Sequence, residues 1–166
     1  MGIDVDGLVG SILAENQVIL DLISLADSKK QAIIMEDIDG LTDIMRRENQ
    51  LIHALERAEA GRLAESSALA RALGLGEEGL TASSLLDRLR TVAPSEAARL
   101  EKELADLAGN LERLKDMNRH NTALLEQSLA YVENMEALLT RQRQTTYSAG
   151  GSVEDSPTRS VLDRRV

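Results

Sequence analysis

Residues 100–139 decide the fold and read LEKELADLAGNLERLKDMNRHNTALLEQSLAYVENMEALL. A series of positions in this stretch is spaced by alternating steps of four and three residues, and most of these positions hold leucine. The positions that keep this rhythm are Leu100, Leu104, Leu107, Leu111, Leu114, Asn118, Asn121, Leu125, Ser128, Val132, Met135 and Leu139. Such a seven-residue repeat predicts a long α-helix that packs along partner helices. Pro94 suits the first turn of a helix, so we expect one from Pro94 to Thr146, about 80 Å long.

Apolar residues at helical spacing predict two more long helices earlier in the chain. The first runs from about Asp6 to Met35, and the second ends near Leu73. We expect a kink or short break between them at residues 37–40, because an aspartate there is suited to cap a new helix. The apolar stripe of the second helix grows polar past Leu55, so we expect its far end to be less well buried.

A short helix is predicted between the second long helix and Pro94. The glycine-rich stretch GLGEEGLTASS, residues 74–84, ends the preceding helix, and Thr81 or Ser83 is placed to cap the segment SSLLDRLR. Few aromatic residues and two prolines agree with a helical chain. The sequence therefore predicts an all-α protein: an elongated antiparallel helical hairpin or three-helix bundle of long helices with a short connecting helix.

Composition and charge limit the domain organisation and the partners. We expect residues 1–147 to form a single elongated helical domain and residues 148–166 to form a flexible polar tail. The net charge of −9 argues against a nucleic-acid partner. The first residues carry acids where a signal peptide carries bases, and the uninterrupted apolar runs are short. We therefore expect a soluble, cytoplasmic protein without a membrane span.

No set of residues in the sequence predicts catalysis, a metal or a cofactor. The letters GLGEEG at 74–79 match the dinucleotide fingerprint, but a helix precedes them where that motif needs a strand. His53 and His120 are the only histidines, and Gln50 and Met117 stand where a di-iron bundle needs glutamate. The chain has no cysteine, and no serine stands in a nucleophile elbow. The protein is therefore predicted not to be an enzyme.

The second half of the last helix carries an apolar arc wider than a two-position seam. Its members are Leu124, Leu125, Leu129, Tyr131, Val132, Met135, Leu138 and Leu139. Two interpretations stay open: the arc packs between two helices of its own chain, or it leaves a face for a client helix. Two interpretations also stay open for Asn118 and Asn121 on the seam. They are buried amides that fix the register of the helices, or they mark a place where the helices separate and the amides are exposed to water.

Two stretches of this sequence resemble the FlgN-type flagellar export chaperones. The main one is MNRHNTALLEQSLAYVENMEALLTRQRQTTYSAGGS, residues 117–152, with two asparagines three apart, the Leu-Leu and Ser-Leu pairs that follow, and a tyrosine near a glycine at the helix exit. A looser likeness lies in LTDIMRRENQLIHALERAEAGR, residues 41–62. Where the family often has Tyr-Gly, this sequence has Tyr-Ser.

The resemblance implies an adaptor that escorts hook–filament junction proteins to the export gate, or its associated ATPase, of the flagellar type III secretion system. Family members bind the amphipathic terminal segment of the client through the apolar face of the C-terminal helix. The matching positions are Leu124, Leu125, Leu129, Val132, Met135, Leu138 and Leu139. The family's terminal region is implicated in gate docking, which would give Tyr147 the role of an exposed anchor. The alternative is that its ring folds back on the end of the helix as a hydrophobic cap.

Two other functions remain alternatives from the sequence. A structural coiled-coil homodimer, or a generic helical adaptor without chaperone activity, would use the wide arc for self-association or general binding. A phosphotransfer module would need an exposed histidine flanked by lysine and small residues, and His120 matches this poorly. The sequence leaves homo-oligomerisation open.

Overall fold

The computed structural model describes residues 3–76 and 80–147, with side chains up to Arg141. It contains four helices: α1, Asp6–Ile34; α2, Ile38–Ala72; α3, Ala82–Val92; and α4, Pro94–Tyr147. No strand occurs in these two ranges. The all-α prediction is confirmed, and each predicted helix boundary lies within a few residues of the observed one.

The chain divides into two compact units, Met1–Leu125 and Glu126–Val166. Of the second unit the structure describes only the helical residues 126–147. The domain limits predicted from the sequence, 1–147 and 148–166, stay a prediction, and the tail lies outside the described residues. The contacts described next all belong to the first unit.

Helices α1 and α2 pack antiparallel. Lys29 near the end of α1 pairs with Glu48 near the start of α2, with 2.8 Å between Nζ and Oε2. Farther from the turn, Arg62 Nε donates to Glu15 Oε2 at 2.5 Å, and the Glu15 side chain is almost entirely buried. The break predicted at 37–40 therefore folds the two helices into a hairpin, a question that the sequence left open.

Local hydrogen bonds make the turn between α1 and α2. The N–H groups of Glu36 and Asp37 donate to the carbonyls of Ile33 and Ala32, which is the Schellman pattern that ends a helix. Asp37 then caps α2, because its carboxylate accepts a bond from the N–H of Gly40 at 2.9 Å. Two short-range motifs thus determine where α1 stops and α2 begins.

Helix α4 runs parallel to α1. Three hydrogen bonds link the two helices, and they advance along both in the same direction. They join Arg99 to Asp6 at 2.6 Å, Asn110 to Asn16 at 2.9 Å, and Asn121 to the carbonyl of Ala26 at 2.8 Å. The bond to Asp6, together with nearby acidic charge, holds the pKa of Arg99 above its ordinary value. The first unit is therefore a three-helix bundle in which α3 is the short connecting helix.

The first unit holds the hydrophobic core, to which all four helices contribute buried side chains. Among its most deeply buried side chains are Val5, Ile12, Ile19, Leu89 and Leu100. The capping box that starts α3, with Thr81 Oγ1 accepting from the N–H of Ser84 and Ser84 Oγ accepting from the N–H of Thr81, places Leu85 and Leu89 in this core.

The expectation that the far end of α2 is less well buried was wrong. Leu69, Ala70 and Leu73 are buried there, whereas no residue from 38 to 68 is. The reason is that the start of α1, α3 and the start of α4 all contribute to the core at this end. A stripe on one helix does not reveal how many other helices surround each of its turns.

Helix α1 is long enough and apolar enough to cross a bilayer, judged by length and composition alone. The expectation from short apolar runs overlooked this, because polar residues interrupt the runs without making the helix polar. In the structure α1 is a core helix with ten buried residues, including the ion-paired Glu15. Burial within the bundle explains its apolar character without a membrane.

Gly61 and Gly109 are exposed glycines that weaken the long helices. A Cβ added at Gly61 in α2 or at Gly109 in α4 would meet nothing within 4 Å. We expect Gly61→Ala and Gly109→Ala each to raise the free energy of unfolding by about 1 kcal/mol. Gly74→Ala should lower it by about 1 kcal/mol, because Gly74 has a φ of +71° at the end of α2. Urea unfolding followed by circular dichroism checks this, and the same sign at all three positions would contradict it.

Candidate functional site

One row of α4 residues, spaced by seven, is buried in the first unit. It consists of Leu100, Leu107, Leu114 and Asn121. The other row of the predicted seam is less covered: Leu104 is half-buried and Leu111 is exposed. Up to Asn121, α4 therefore uses mainly one of its two seam rows for the core.

The two seam asparagines have different environments. Asn121 is buried, and its Nδ2 donates to the carbonyl of Ala26 in α1. Asn118 is exposed, and its backbone carbonyl accepts a bond from Thr122 Oγ1 at 3.0 Å. The buried position of Asn121 is the one that an amide needs in order to fix the register of two helices. The exposed position of Asn118 fits the other interpretation, in which water hydrates the amide. The register role of both residues stays a prediction.

Burial along α4 ends shortly after Asn121. Leu124 is half-buried and Leu125 is 38% exposed at the end of the first unit. In the second unit, every residue from Glu126 to Arg141 is exposed. The large apolar side chains of this stretch are between 40% and 61% exposed: Leu129, Tyr131, Val132, Met135, Leu138 and Leu139.

These exposed side chains follow the arc predicted from the sequence. At 3.6 residues per turn, the arc residues from 124 to 139 occupy about half of the helix circumference. A helix in water normally keeps its apolar stripe against another element, and a long bare stripe marks a surface for a partner. Among the described residues, the arc holds more exposed large apolar side chains than any other helix does.

The charges beside the arc have one sign. Residues 121–140 contain Glu126, Glu133 and Glu136 and no lysine or arginine. All three carboxylates are exposed, and none takes part in an ion pair within the described part of the chain. This uncompensated negative charge keeps a helix with much apolar surface hydrated, and it disfavours contact with other acidic surfaces.

The remaining sequence candidates form no reactive site. His53 contacts Glu56 on the surface of α2 at 3.1 Å, and His120 is exposed on α4. In the ranges that the structure describes, no group of three or more histidine, cysteine or acidic residues is placed to hold a metal ion. Tyr147 is the last residue of α4, and its side chain lies outside the described residues.

Sequence reasoning missed a second exposed apolar surface, at the turn between α1 and α2. We call it the hairpin row: Ile34, Met35, Ile38, Met45 and Ile52, all exposed. Ile38, Met45 and Ile52 belong to the apolar stripe whose spacing predicted the second helix, so they were expected to pack against another helix. Their seven-residue spacing, beside an acidic run with no base, was the signal that could have identified them.

Comparison with known proteins gave a match to one family model. Searches of curated proteins and of solved structures gave no match. The model of the family described as "FlgN protein" matches residues 1–155, which include all four helices and the arc on α4. A match over this length shows that the chain belongs to the FlgN family of flagellar export chaperones.

Proposed function

We propose that this protein is a cytosolic chaperone that binds the amphipathic terminal segment of hook–filament junction proteins and keeps them soluble. It then delivers them to the gate, or the associated ATPase, of the flagellar type III secretion system. The observation that carries the proposal is the bare apolar arc on α4, in a chain that belongs to an export chaperone family. No cofactor or catalytic step is needed.

The client-binding residues in this proposal are the apolar members of the arc. They are Leu124, Leu125, Leu129, Val132, Met135, Leu138 and Leu139. A client helix that lays its own apolar face along them removes both surfaces from water, which contributes about 1–2 kcal/mol for each aliphatic side chain that becomes covered. Association entropy offsets much of this gain, so the complex is reversible, as export requires.

Asn121 has a role in this proposal at the boundary between bundle and site. Its buried amide holds α4 in register with α1 through the carbonyl of Ala26. A leucine at the same place would pack in many registers, whereas an amide has one suitable acceptor. The register in turn keeps Leu125, the last residue of the first unit, free for the client. The exposed Asn118 makes no contact of this kind with α1 in the described structure.

Tyr147 is assigned to gate docking in this proposal. It ends α4 beyond the apolar arc, and the chain has only one other aromatic residue, Tyr131. An aromatic side chain that fills a partner pocket contributes roughly 2 kcal/mol or more. Tyr131, in contrast, lies 61% exposed within the arc and is placed to contact the client.

The two tyrosines allow delivery to be tested separately from client binding. Tyr147→Ala should leave affinity for the terminal segment of a hook–filament junction protein unchanged and reduce secretion of that protein in motile cells. Tyr131→Ala should weaken client binding roughly tenfold, because it removes apolar contact area from the arc. Isothermal titration gives the affinity, and immunoblots of culture medium give the secretion. Normal secretion by Tyr147→Ala would remove the docking role.

Self-association is the main competitor for the same surface. A structural coiled-coil homodimer would cover the arc with a second copy and leave no face for a client. Sedimentation equilibrium separates the two functions. A tight dimer in which Val132 is buried, and which persists when the client segment is added, would exclude the chaperone role.

A further inference from the structure

The hairpin row holds the two most exposed large apolar side chains of the described part of the first unit. Met35 is 76% exposed and Ile38 is 70% exposed, and Met45 and Ile52 follow on α2 at intervals of seven residues. Seven residues make two helical turns, so the last three side chains line one edge of α2. An edge with this spacing fits the apolar face of another helix.

The charges around the row indicate which kind of helix fits. Residues 31–45 contain Glu36, Asp37, Asp39 and Asp43 and no lysine or arginine. Of the neighbouring bases, Lys29 pairs with Glu48 and Arg46 pairs with Asp43. Glu36 and Asp39 take part in no hydrogen bond or ion pair through their carboxylates among the described residues. Lys30 and Arg47 are the two remaining bases close in sequence, so residues 29–48, with five acidic and four basic side chains, keep a small excess of negative charge that lies at the turn.

The turn also carries an unfavourable residue at its sharpest point. Both long helices of the hairpin end in the same hydrogen-bonding pattern. At the end of α2 the left-handed position holds Gly74, whereas at the end of α1 it holds Glu36, with a φ of 54°. Only glycine adopts this conformation without steric cost. The chain thus keeps a carboxylate beside Met35 at a position where glycine would be more stable.

We propose that the hairpin row binds an amphipathic helix of a partner protein that carries lysine or arginine at the end lying over Glu36 and Asp39. The aliphatic side chains of the partner cover Ile38, Met45 and Ile52, and its cations meet the unpaired carboxylates. The contact is small, which suits a transient encounter rather than a permanent complex. The surface lies entirely within the first unit and does not include the client-binding arc.

Two designed peptides of 21 residues test this proposal. Both carry the same leucine heptads, and the flanking positions hold lysine in one and glutamate in the other. Fluorescence anisotropy measures their binding to the full-length chain with Val132→Asp, which removes the α4 arc as a second site. We expect the lysine peptide to bind roughly tenfold more tightly than the glutamate peptide. Equal binding of the two peptides would overturn the proposal.

Variants locate the contact. In the same background, Ile38→Asp and Met45→Asp should each weaken the lysine peptide at least roughly tenfold. Leu63→Asp places the same charge at an exposed apolar position elsewhere on α2 and should change little. If Leu63→Asp weakens binding as much as Ile38→Asp, the peptide does not bind specifically at the hairpin row and the proposal fails.

Glu36→Gly distinguishes a binding role from a structural one. We expect this variant to melt at a higher temperature, because it removes the left-handed strain, and to bind the lysine peptide several-fold more weakly. Unchanged peptide binding would show that the carboxylate serves no partner. A second copy of the chain is the other molecule that could cover the hairpin row, and sedimentation of the unmodified chain tests this. Self-association that Ile38→Asp abolishes would place that second copy on the row and overturn the proposal.

Discussion

Val132→Asp is expected to abolish capture of the client while the protein stays folded. Val132 lies near the middle of the apolar arc and is 51% exposed, so an aspartate there is hydrated in the free chain. When an apolar client helix covers that carboxylate, the carboxylate loses its hydrogen bonds to water and gains no other hydrogen-bond partner. We expect the affinity to fall roughly 30- to 1000-fold, about 2–4 kcal/mol. Isothermal titration with the terminal segment of a hook–filament junction protein measures the loss, and circular dichroism measures the helix content.

A matched control separates the arc from the rest of α4. Ala130→Asp introduces the same charge two residues away, on the opposite side of the helix, where the residue is also exposed. It should bind the client nearly as well as the unmodified chain. Leu125→Asp should behave like Val132→Asp. If both of these arc variants unfold the protein, the arc is core and the proposed function fails.

Leu100→Ala is expected to cause the largest loss of stability among simple truncations of α4. Leu100 is 0% exposed and belongs to the cluster formed by the start of α1, the end of α2, and α3. Removing its side chain loses apolar burial and leaves a cavity, which together cost about 3–5 kcal/mol. Urea unfolding should show the midpoint moving to lower denaturant concentration with little change in slope.

Leu129→Ala is the control for this prediction, with the same chemical change on the same helix. Leu129 is 61% exposed, so its truncation should change the free energy of unfolding by less than about 0.5 kcal/mol. The same variant should weaken client binding. An equal loss of stability at the two leucines would mean that α4 is packed along its whole length, which contradicts the exposed arc.

The helix boundaries could be predicted from the sequence because short-range chemistry determines them. Pro94 opens α4, Asp37 caps α2, and Thr81 with Ser84 caps α3. Each of these devices acts within one turn of the helix, so the neighbouring letters contain the information. The period of seven in α4 likewise predicted the buried row of Leu100, Leu107 and Leu114, whereas Leu111 and Asn118 of the other predicted row are exposed.

The arrangement of the helices was harder to predict, because it depends on residues far apart in sequence. The direction of α4 relative to α1 follows from pairs such as Asn16 with Asn110, separated by 94 residues. The deep burial of Leu69 results from α3 and from the starts of α1 and α4, which the stripe on α2 does not report. No local pattern contains such contacts.

For the candidate site, the sequence predicted the arc but not its exposure. The width of the arc was compatible with packing between two helices of the same chain and with a face left for a client. The burial of its side chains distinguishes these two interpretations, and burial depends on where the surrounding helices lie. Ile38, Met45 and Ile52 of the hairpin row were expected to pack because their spacing equals that of a core stripe. An apolar residue at every seventh position can belong to an exposed row or to a buried one, so the spacing does not tell the two apart. The acidic residues at 36–43 beside the row were the feature that indicated exposure.

Maleimide labelling of a single introduced cysteine tests the central claim most directly. The natural chain has no cysteine, so Leu129→Cys reports one position of the arc and Ala130→Cys reports the opposite side of the same helix. In the free protein both should react equally fast. Added client segment should slow Leu129→Cys at least roughly tenfold and leave Ala130→Cys unchanged. Slow labelling of Leu129→Cys in the free protein, or no protection by the client, would contradict the account.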